Sequence, residues 1–176
     1  MIIDALLQFD SAAQLAQVVG TYLSTNVIDL GEISGIPSSA NGGGARDIGV
    51  GDDPAIKVLA LVTTAFASAG AATLAVSLQG APDNGSGAPG TWYTFVTSPV
   101  FALATLVQGA YLLNIDMPRP PAGVPMPRFL RMSYAIAGAT TTAGQVQSEL
   151  VLDRFDQPMS SAGVLSGYPA GITVSN

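Results

Sequence analysis

The sequence predicts an all-β protein, a jelly roll or β-sandwich of about eight strands, with a short N-terminal helix or arm and an extended C-terminal tail. Several stretches alternate between apolar and polar residues, with the period of two that a half-buried strand requires. Turn residues recur about every ten positions and no long helical pattern is present, which is typical of jelly rolls and sandwiches. We divide the chain into an arm at 1–23, a β-domain at 24–157 and a tail at 158–176.

The clearest strand pattern lies between Arg128 and Phe155. Within each half of this stretch, alternate apolar residues share one face. They are Leu130, Met132, Tyr134 and Ile136 in the first half, and Leu150 and Leu152 in the second. The linking residues 138–144 are Gly, Ala and Thr, which bend easily without exposing a large apolar side chain. We therefore predict a β-hairpin here, or at least two neighbouring antiparallel strands.

The rest of the chain supplies the other predicted elements. Asp10 or Ser11 can cap a short helix over Ala12–Val19, with Leu15, Val18 and Val19 on its apolar side. The segment Ile56–Thr64 is apolar on both faces, so it must lie at the centre of a packed layer or at an interface. Further strands are predicted at Ser24–Leu30, Thr73–Gln79, Thr91–Thr97, Val100–Val107 and Ala110–Met117, the last two pairing around Gln108-Gly109. Glycine- and proline-rich stretches at 31–54, 81–90 and 118–127 separate them as loops or stiff crossings.

Composition excludes several classes of function. Hydrophobic residues make up 48% of the chain and charged residues only 10%, which suits a protein packed against others. The formal net charge is −6 and the six basic residues are scattered, so we expect no nucleic-acid binding. Cysteine and histidine are absent, which removes disulfides, thiolate chemistry and the usual general base and zinc ligand. We expect no cofactor, no metal and no enzymatic activity.

One uncharged run, at residues 58–78, is long enough to span a bilayer. Its centre, Ser68-Ala69-Gly70-Ala71, is small and turn-like, and strict alternation follows from Thr73 onward. A lipid-facing helix has no need of that alternation, so we predict strands and no membrane partner. The N-terminus carries Asp4 and lacks a basic region, so it does not resemble a signal peptide.

Paired carboxylates are the remaining enzymatic alternative. Glu149 and Asp153 share a strand face, but four residues of strand separate them by roughly 13 Å, which is too wide for a glycosidase pair. Either one can still pair with Asp116 from another strand, although solvated or salt-bridged outward carboxylates are the favoured interpretation. The Asp52-Asp53 pair lacks the spacing of a calcium loop.

Two other groups of side chains are candidate contacts. Trp92 and Tyr93 can each stack on a sugar, but as strand neighbours they face opposite sides and cannot form one platform. The Arg46-Asp47 pair and the strand end with Arg128 and Arg131 are candidate polar anchors. For these arginines an interface and an internal salt bridge both remain open.

Five segments together resemble the capsid cement, or decoration, proteins of short-tailed phages related to the Bordetella phage. The segments are STNVIDLG at 24–31, RDIGVGD at 46–52, RFLRMSYAIAGATTTAG at 128–144, ELVLDRFDQ at 149–157 and YPAG at 168–171. The resemblance implies a jelly roll on the exterior of the capsid in the virion. It also implies a homo-oligomer, a dimer or a trimer, that binds the major capsid protein and carries no catalytic residues.

Apolar side chains without an evident sheet partner are the expected contacts with the capsid or with other copies. They are Ile2, Ile3, Leu6, Leu7 and Phe9 in the N-terminal segment and Leu165, Tyr168 and Ile172 in the tail, and Arg46 and Asp47 join them as polar anchors. Two alternatives stay open. One is a carbohydrate-binding jelly roll with an exposed aromatic platform, and the other is a carboxylate-dependent glycosidase.

Overall fold

The computed structural model describes residues 5–31 and 56–152, and these residues form ten β-strands in two antiparallel sheets. The strands are β1 Gln8–Gln14, β2 Gly20–Leu23, β3 Ile28–Asp29, β4 Ile56–Ser68, β5 Thr73–Ala81, β6 Tyr93–Thr97, β7 Phe101–Ala102, β8 Tyr111–Asp116, β9 Phe129–Ala137 and β10 Thr141–Leu152. Short 3₁₀ turns lie at Ala5–Leu7 and Leu103–Thr105. The prediction of an all-β sandwich is confirmed.

The connections of the sandwich cross repeatedly between its two sheets. Sheet A has the order β1-β10-β4-β8, and sheet B has the order β2-β9-β5-β6, with β3 beside β9 and β7 beside β5. Among the eight longer strands described, only β5 and β6 are consecutive and paired, and this alternation between sheets is the connectivity of a jelly roll. As a result β1 and β2 are the outermost strands of their sheets on one side, and β8 and β6 are outermost on the other.

The predicted hairpin between residues 128 and 155 is wrong, although both of its strands exist. β9 pairs with β5 and β2 in sheet B, whereas β10 pairs with β4 and β1 in sheet A. The chain changes sheets at Gly138, whose φ of +80° favours glycine. A Cβ atom there would lie 2.2 Å from the Ala71 carbonyl oxygen, so the crossing also requires a residue without a side chain.

Three further predictions are corrected by the strands. The helix over Ala12–Val19 is wrong, because residues up to Gln14 form β1 and pair with β10. In Val100–Val107 only Phe101–Ala102 is a strand, and it pairs with β5 and not with β8. Ser24–Leu30 contains only the two-residue strand β3. The division of the chain at residues 23 and 157 stays a prediction, since the tail lies outside the described residues.

The core lies between the inner faces of the two sheets, as the alternation predicts. On β9 the residues Leu130, Met132, Tyr134 and Ile136 are all at most 2% exposed. They meet the inward residues of β4, which include Val58, Ala60 and Val62. β4 lies between β10 and β8, so of the two predicted placements, the centre of a packed layer or an interface, the structure shows the first. In the described part of the chain no helix has the length and apolar character of a membrane span.

One polar cluster is buried between the sheets. The Tyr134 hydroxyl donates to Asp10 Oδ2 at 2.7 Å, and its oxygen lies 2.6 Å from Ser148 Oγ. The other oxygen of Asp10 accepts the Thr25 backbone N–H at 2.9 Å. Burial and the nearby Asp10 carboxylate raise the pKa of Tyr134 well above its ordinary value, so the phenol stays protonated. The cluster ties β9 of sheet B to β1 and β10 of sheet A.

Candidate interaction surface

Four exposed apolar side chains lie in β2 or beside it in sequence, on the side of the sandwich where β1 and β2 are outermost. We call them the apolar edge: Val18, Val19, Leu23 and Val27, each at least 45% exposed. The Tyr22 hydroxyl donates to the Val18 carbonyl at 2.9 Å, and the Asn26 N–H donates to the Phe9 carbonyl at 3.0 Å. These hydrogen bonds fix the chain on both sides of β2, so the apolar side chains project from a defined backbone.

The apolar edge has two further properties of a contact surface. No charged residue occurs from Ser11 to Ile28, although the whole chain carries a net charge of −6. Within the described residues, β2 pairs only with β9, so its outer main-chain groups are open. An open strand edge with exposed apolar side chains is a site at which other chains dock or aggregate. We therefore treat this edge as the candidate interaction surface.

The sequence prediction missed most of this surface. It placed Val18 and Val19 on the apolar side of a helix, and it did not select Leu23 or Val27. The sequence signal that could have identified this surface is the stretch without charge, because a solvated strand edge is normally protected by charged side chains. That signal becomes meaningful only when β1 and β2 are known to be outer strands.

The contact residues predicted from the sequence have three different placements. Phe9 is fully buried in the core and is wrong as a surface contact, because its strand turns it inward. Leu7 is half-buried and packs against the core, whereas Leu6 is 64% exposed and stays a candidate contact. The remaining predicted contacts lie outside the described residues and stay predictions: Ile2, Ile3, Arg46, Asp47, Leu165, Tyr168 and Ile172.

Arg128 forms an internal ion pair, which decides one of the open alternatives. Its Nε and Nη2 atoms donate to the two oxygens of Asp29, at 2.9 Å and 3.0 Å. Its Nη1 atom donates to Asp83, and its guanidinium lies 5.0 Å from the centre of the Phe129 ring. Arg128 therefore joins β3, the start of β9 and the loop after β5, with only 8% of its surface exposed.

The two carboxylates of this cluster have shifted pKa values. Burial raises the pKa of Asp29, but the hydrogen bonds from Arg128 and the Gly31 N–H outweigh it, so the pKa falls below its ordinary value. Desolvation likewise raises the pKa of Asp83. The hydrogen bonds from the N–H groups of Gly85 and Gly87 and from Arg128 outweigh this effect, so the pKa of Asp83 also falls below its ordinary value. Both groups are therefore ionised at neutral pH, and Asp83 holds the 83–87 loop against Arg128.

Arg131 has a different environment on the outer face of sheet B. Its Nε atom donates to Gln79 Oε1 at 2.8 Å, and its guanidinium carbon lies 4.0 Å from the centre of the Trp92 ring. One face of Trp92 is therefore covered by a cation. The Tyr93 hydroxyl donates to the Pro125 carbonyl at 2.6 Å, and its ring packs at 5.4 Å from that of Phe95. The described residues thus offer no observation that favours an aromatic sugar platform.

Carboxylates on the outer face of sheet A behave differently from one another. Asp116 Oδ1 lies 2.5 Å from Lys57 Nζ, which agrees with a salt-bridged outward carboxylate. Glu149, in contrast, is completely buried, so the expectation of a solvated or salt-bridged group is wrong for it. Its Oε2 atom accepts from Gln147 at 3.0 Å and from Gln8 at 3.5 Å, while Oε1 has no hydrogen-bond partner among the described residues. Asp153 lies outside the described residues.

Comparison with known proteins gives one family match. The model of the Bbp16 family matches residues 11–150 of the chain, which is more than half of its length. The match begins within β1 and ends within β10, so it includes the apolar edge and both sheets. A search of the curated proteins finds no match.

Proposed function

Because the chain belongs to the Bbp16 family, whose name points to a protein of a Bordetella phage, we propose that it is a structural cement protein of the phage head. In this role it binds the outer surface of the capsid and links neighbouring major capsid subunits, and it catalyses no reaction. The family match carries the proposal. The β-sandwich, the low content of charge and the apolar edge support it.

The apolar edge provides the physical basis for weak but repeated contacts. Complete burial of a Val or Leu side chain contributes about 1.5–3 kcal/mol, and half-exposed side chains contribute about half of that. Four such side chains give a contact of about 3–6 kcal/mol before the loss of translational freedom is subtracted. A single contact is therefore weak. A homo-oligomer, dimer or trimer, that engages several capsid subunits at once would bind far more tightly through its high effective concentration.

The charge of the chain supports a position on the exterior of the capsid. A net charge of −6 is repelled by packaged DNA, and the described basic residues form no row that could neutralise phosphates. The outer shell surface is the location where such a protein meets capsid subunits without meeting DNA.

Cosedimentation of the purified protein with empty heads tests this function. We expect wild-type protein to pellet with heads and to raise the temperature at which DNA-filled heads rupture. Val19→Asp should weaken binding by more than tenfold, because it places a charge in an apolar contact. Val107→Asp is the matched control, since both valines are 54% exposed and Val107 lies outside the apolar edge.

The outcomes separate the function from the surface. Wild-type protein that fails to bind heads contradicts the cement function. If Val19→Asp binds as tightly as Val107→Asp, the cement function stands but the apolar edge is not its contact. Deletion of residues 158–176 tests the tail in the same assay, and unchanged binding would remove Leu165, Tyr168 and Ile172 from the proposed contacts.

A further inference from the structure

The guanidinium group of Arg131 is held in place, but only one of its three nitrogens donates a hydrogen bond to a described residue. Its Nε atom is fixed by Gln79, and its planar group is stacked on Trp92. Its two terminal nitrogens have no hydrogen-bond partner among residues 5–31 and 56–152. An arginine side chain normally loses rotational freedom when it binds a ligand, and here the stacking on Trp92 has already removed most of that freedom. The two terminal nitrogens are therefore already oriented for a planar acceptor.

The charge of Arg131 also lacks a counter-charge in the described part of the chain. Burial lowers the pKa of Arg131, and no carboxylate opposes that effect. The nearest acid along its strand pairing, Asp29 opposite Phe129, is bound by Arg128 through two hydrogen bonds. An incoming anion would therefore gain both an oriented donor pair and a positive charge that no described carboxylate compensates.

The described carboxylates of a second copy of this chain are poor sources of that anion. Asp29 and Asp83 are paired with Arg128, and Asp116 is paired with Lys57. Asp10 is 2% exposed and Glu149 is fully buried. Each of the five carboxylates in the described residues is thus ion-paired or inaccessible, so none of these five is available as the acceptor.

We propose that Arg131, supported by Trp92 and Gln79, is an anchor that binds a carboxylate side chain on the major capsid subunit. This inference rests on the proposed cement function and deepens it, because it adds a charged anchor on the outer face of sheet B to the apolar contact at β2. Leu23 pairs with Ser133, two residues along β9 from Arg131, so the anchor and the apolar edge lie close enough for one partner to cover both.

Affinity measurements on empty heads with Arg131 variants test the proposal. Arg131→Ala should weaken binding by about 10- to 100-fold, as expected for the loss of a hydrogen bond between charged groups. Arg131→Lys should fall between wild type and Ala, since it keeps the charge but loses the planar fork. Raising the salt concentration should weaken wild-type binding more than Arg131→Ala binding. Arg119→Ala, at an exposed arginine in the proline-rich segment, is the matched control and should bind like wild type.

Two further measurements show whether a variant keeps its local structure and its oligomer mass. Trp92 is the sole tryptophan, so its fluorescence and the thermal midpoint show whether each variant keeps its local structure. If Arg131→Ala is unstable, Arg131→Gln replaces it, because Gln keeps a polar side chain beside Gln79. Sedimentation equilibrium then shows whether the oligomer mass changes.

Each result supports or contradicts the proposed anchor at Arg131. Tenfold or greater loss with Arg131→Ala or Arg131→Gln, at unchanged oligomer mass, supports the anchor. Equal binding by wild type and variant overturns the anchor while the cement function stands. A change in oligomer mass overturns it in favour of a contact between copies. Wild-type protein that does not bind heads removes the cement function and the anchor together.

Discussion

Replacement of Tyr134 by Phe should lower the free energy of unfolding by about 2–3 kcal/mol. Tyr134 Oη joins the Asp10 carboxylate and the Ser148 hydroxyl across the two sheets. Asp10 is 2% exposed and would keep only the Thr25 N–H among the described donors, so water has little access to replace the lost donor. A hydrogen bond to a charged group contributes about 1.5–3 kcal/mol, and a buried group left without its partner is costly. In a chain of this size the loss corresponds to a decrease of about 4–12 °C in the thermal midpoint.

Urea unfolding at pH 7, followed by circular dichroism, measures this change. Tyr22→Phe is the matched control, because the Tyr22 hydroxyl donates to the Val18 carbonyl at an exposed position and its loss should cost less than about 1 kcal/mol. A double-mutant cycle with Ser148→Ala should show a coupling energy of about 0.5–3 kcal/mol between the two hydroxyls. A loss below about 0.5 kcal/mol for Tyr134→Phe, with no coupling, would refute the reasoning.

The same residue predicts behaviour at alkaline pH. The pKa of Tyr134 is raised in the folded state, so the folded protein keeps the phenol proton that the unfolded chain releases near pH 10. Stability is therefore unaffected below that pH and decreases as the pH rises above it. The decrease should be smaller in Tyr134→Phe. Equal slopes of stability against pH for wild type and variant would contradict this assignment.

The remaining predictions concern the Arg128 cluster, Glu149 and Gly144. Arg128→Met should reduce stability at pH 7 by about 1–3 kcal/mol. Because the pKa values of Asp29 and Asp83 are lowered, their stabilisation is present above the unfolded value near pH 4 and is lost as the pH falls, so urea unfolding at pH 3 should show a smaller difference. Glu149→Gln should raise the free energy of unfolding by about 1 kcal/mol, since a neutral amide is less costly than a carboxyl group at a site without solvent, and a decrease would show that the carboxyl group has a bound partner. Gly144→Ala should lower the thermal midpoint by the equivalent of about 1–3 kcal/mol, because φ is +140° and the new Cβ would lie 2.4 Å from the Phe66 ring. An unchanged midpoint would show that Phe66 moves freely.

The sequence predicts which face of a strand is buried, but it does not predict the partner of that strand. The alternation on β9 correctly assigned Leu130, Met132, Tyr134 and Ile136 to the core. The hairpin with β10 was wrong because both sheets bury their inner faces against the same core. Two strands that face each other across the sandwich then have the same pattern as two that are hydrogen-bonded side by side.

The N-terminal error has a related physical cause. Leu15, Val18 and Val19 have helical spacing, yet only Leu15 is buried. Phe9 and Asp10 are both buried in β1, which contains register shifts against β10 that interrupt simple alternation. A local pattern therefore favoured a helix, and the pairing with a strand more than 120 residues away decided otherwise.

The arginine candidates show how far sequence reasoning reaches toward the site. Arg128 and Arg131 are three residues apart and were equal candidates for an interface or an internal salt bridge. Their roles differ because Asp29 and Asp83 approach Arg128 from distant parts of the chain, whereas Arg131 meets Gln79 and Trp92. Residue type selected the candidates, and only the tertiary contacts could separate them.

The connectivity of the sandwich also explains why the candidate contact surface is near the N-terminus. In a jelly roll the first two strands become the outermost strands of opposite sheets, so one short segment forms a whole side of the domain. Here that segment is the stretch from Ser11 to Ile28, which has no charged residue and exposes four large apolar side chains. An outer edge of this kind promotes uncontrolled association unless a specific partner covers it. The absence of charge from Ser11 to Ile28 is therefore better explained by a dedicated contact than by the needs of folding, because solvent-facing charges in this segment would leave the core between the sheets intact.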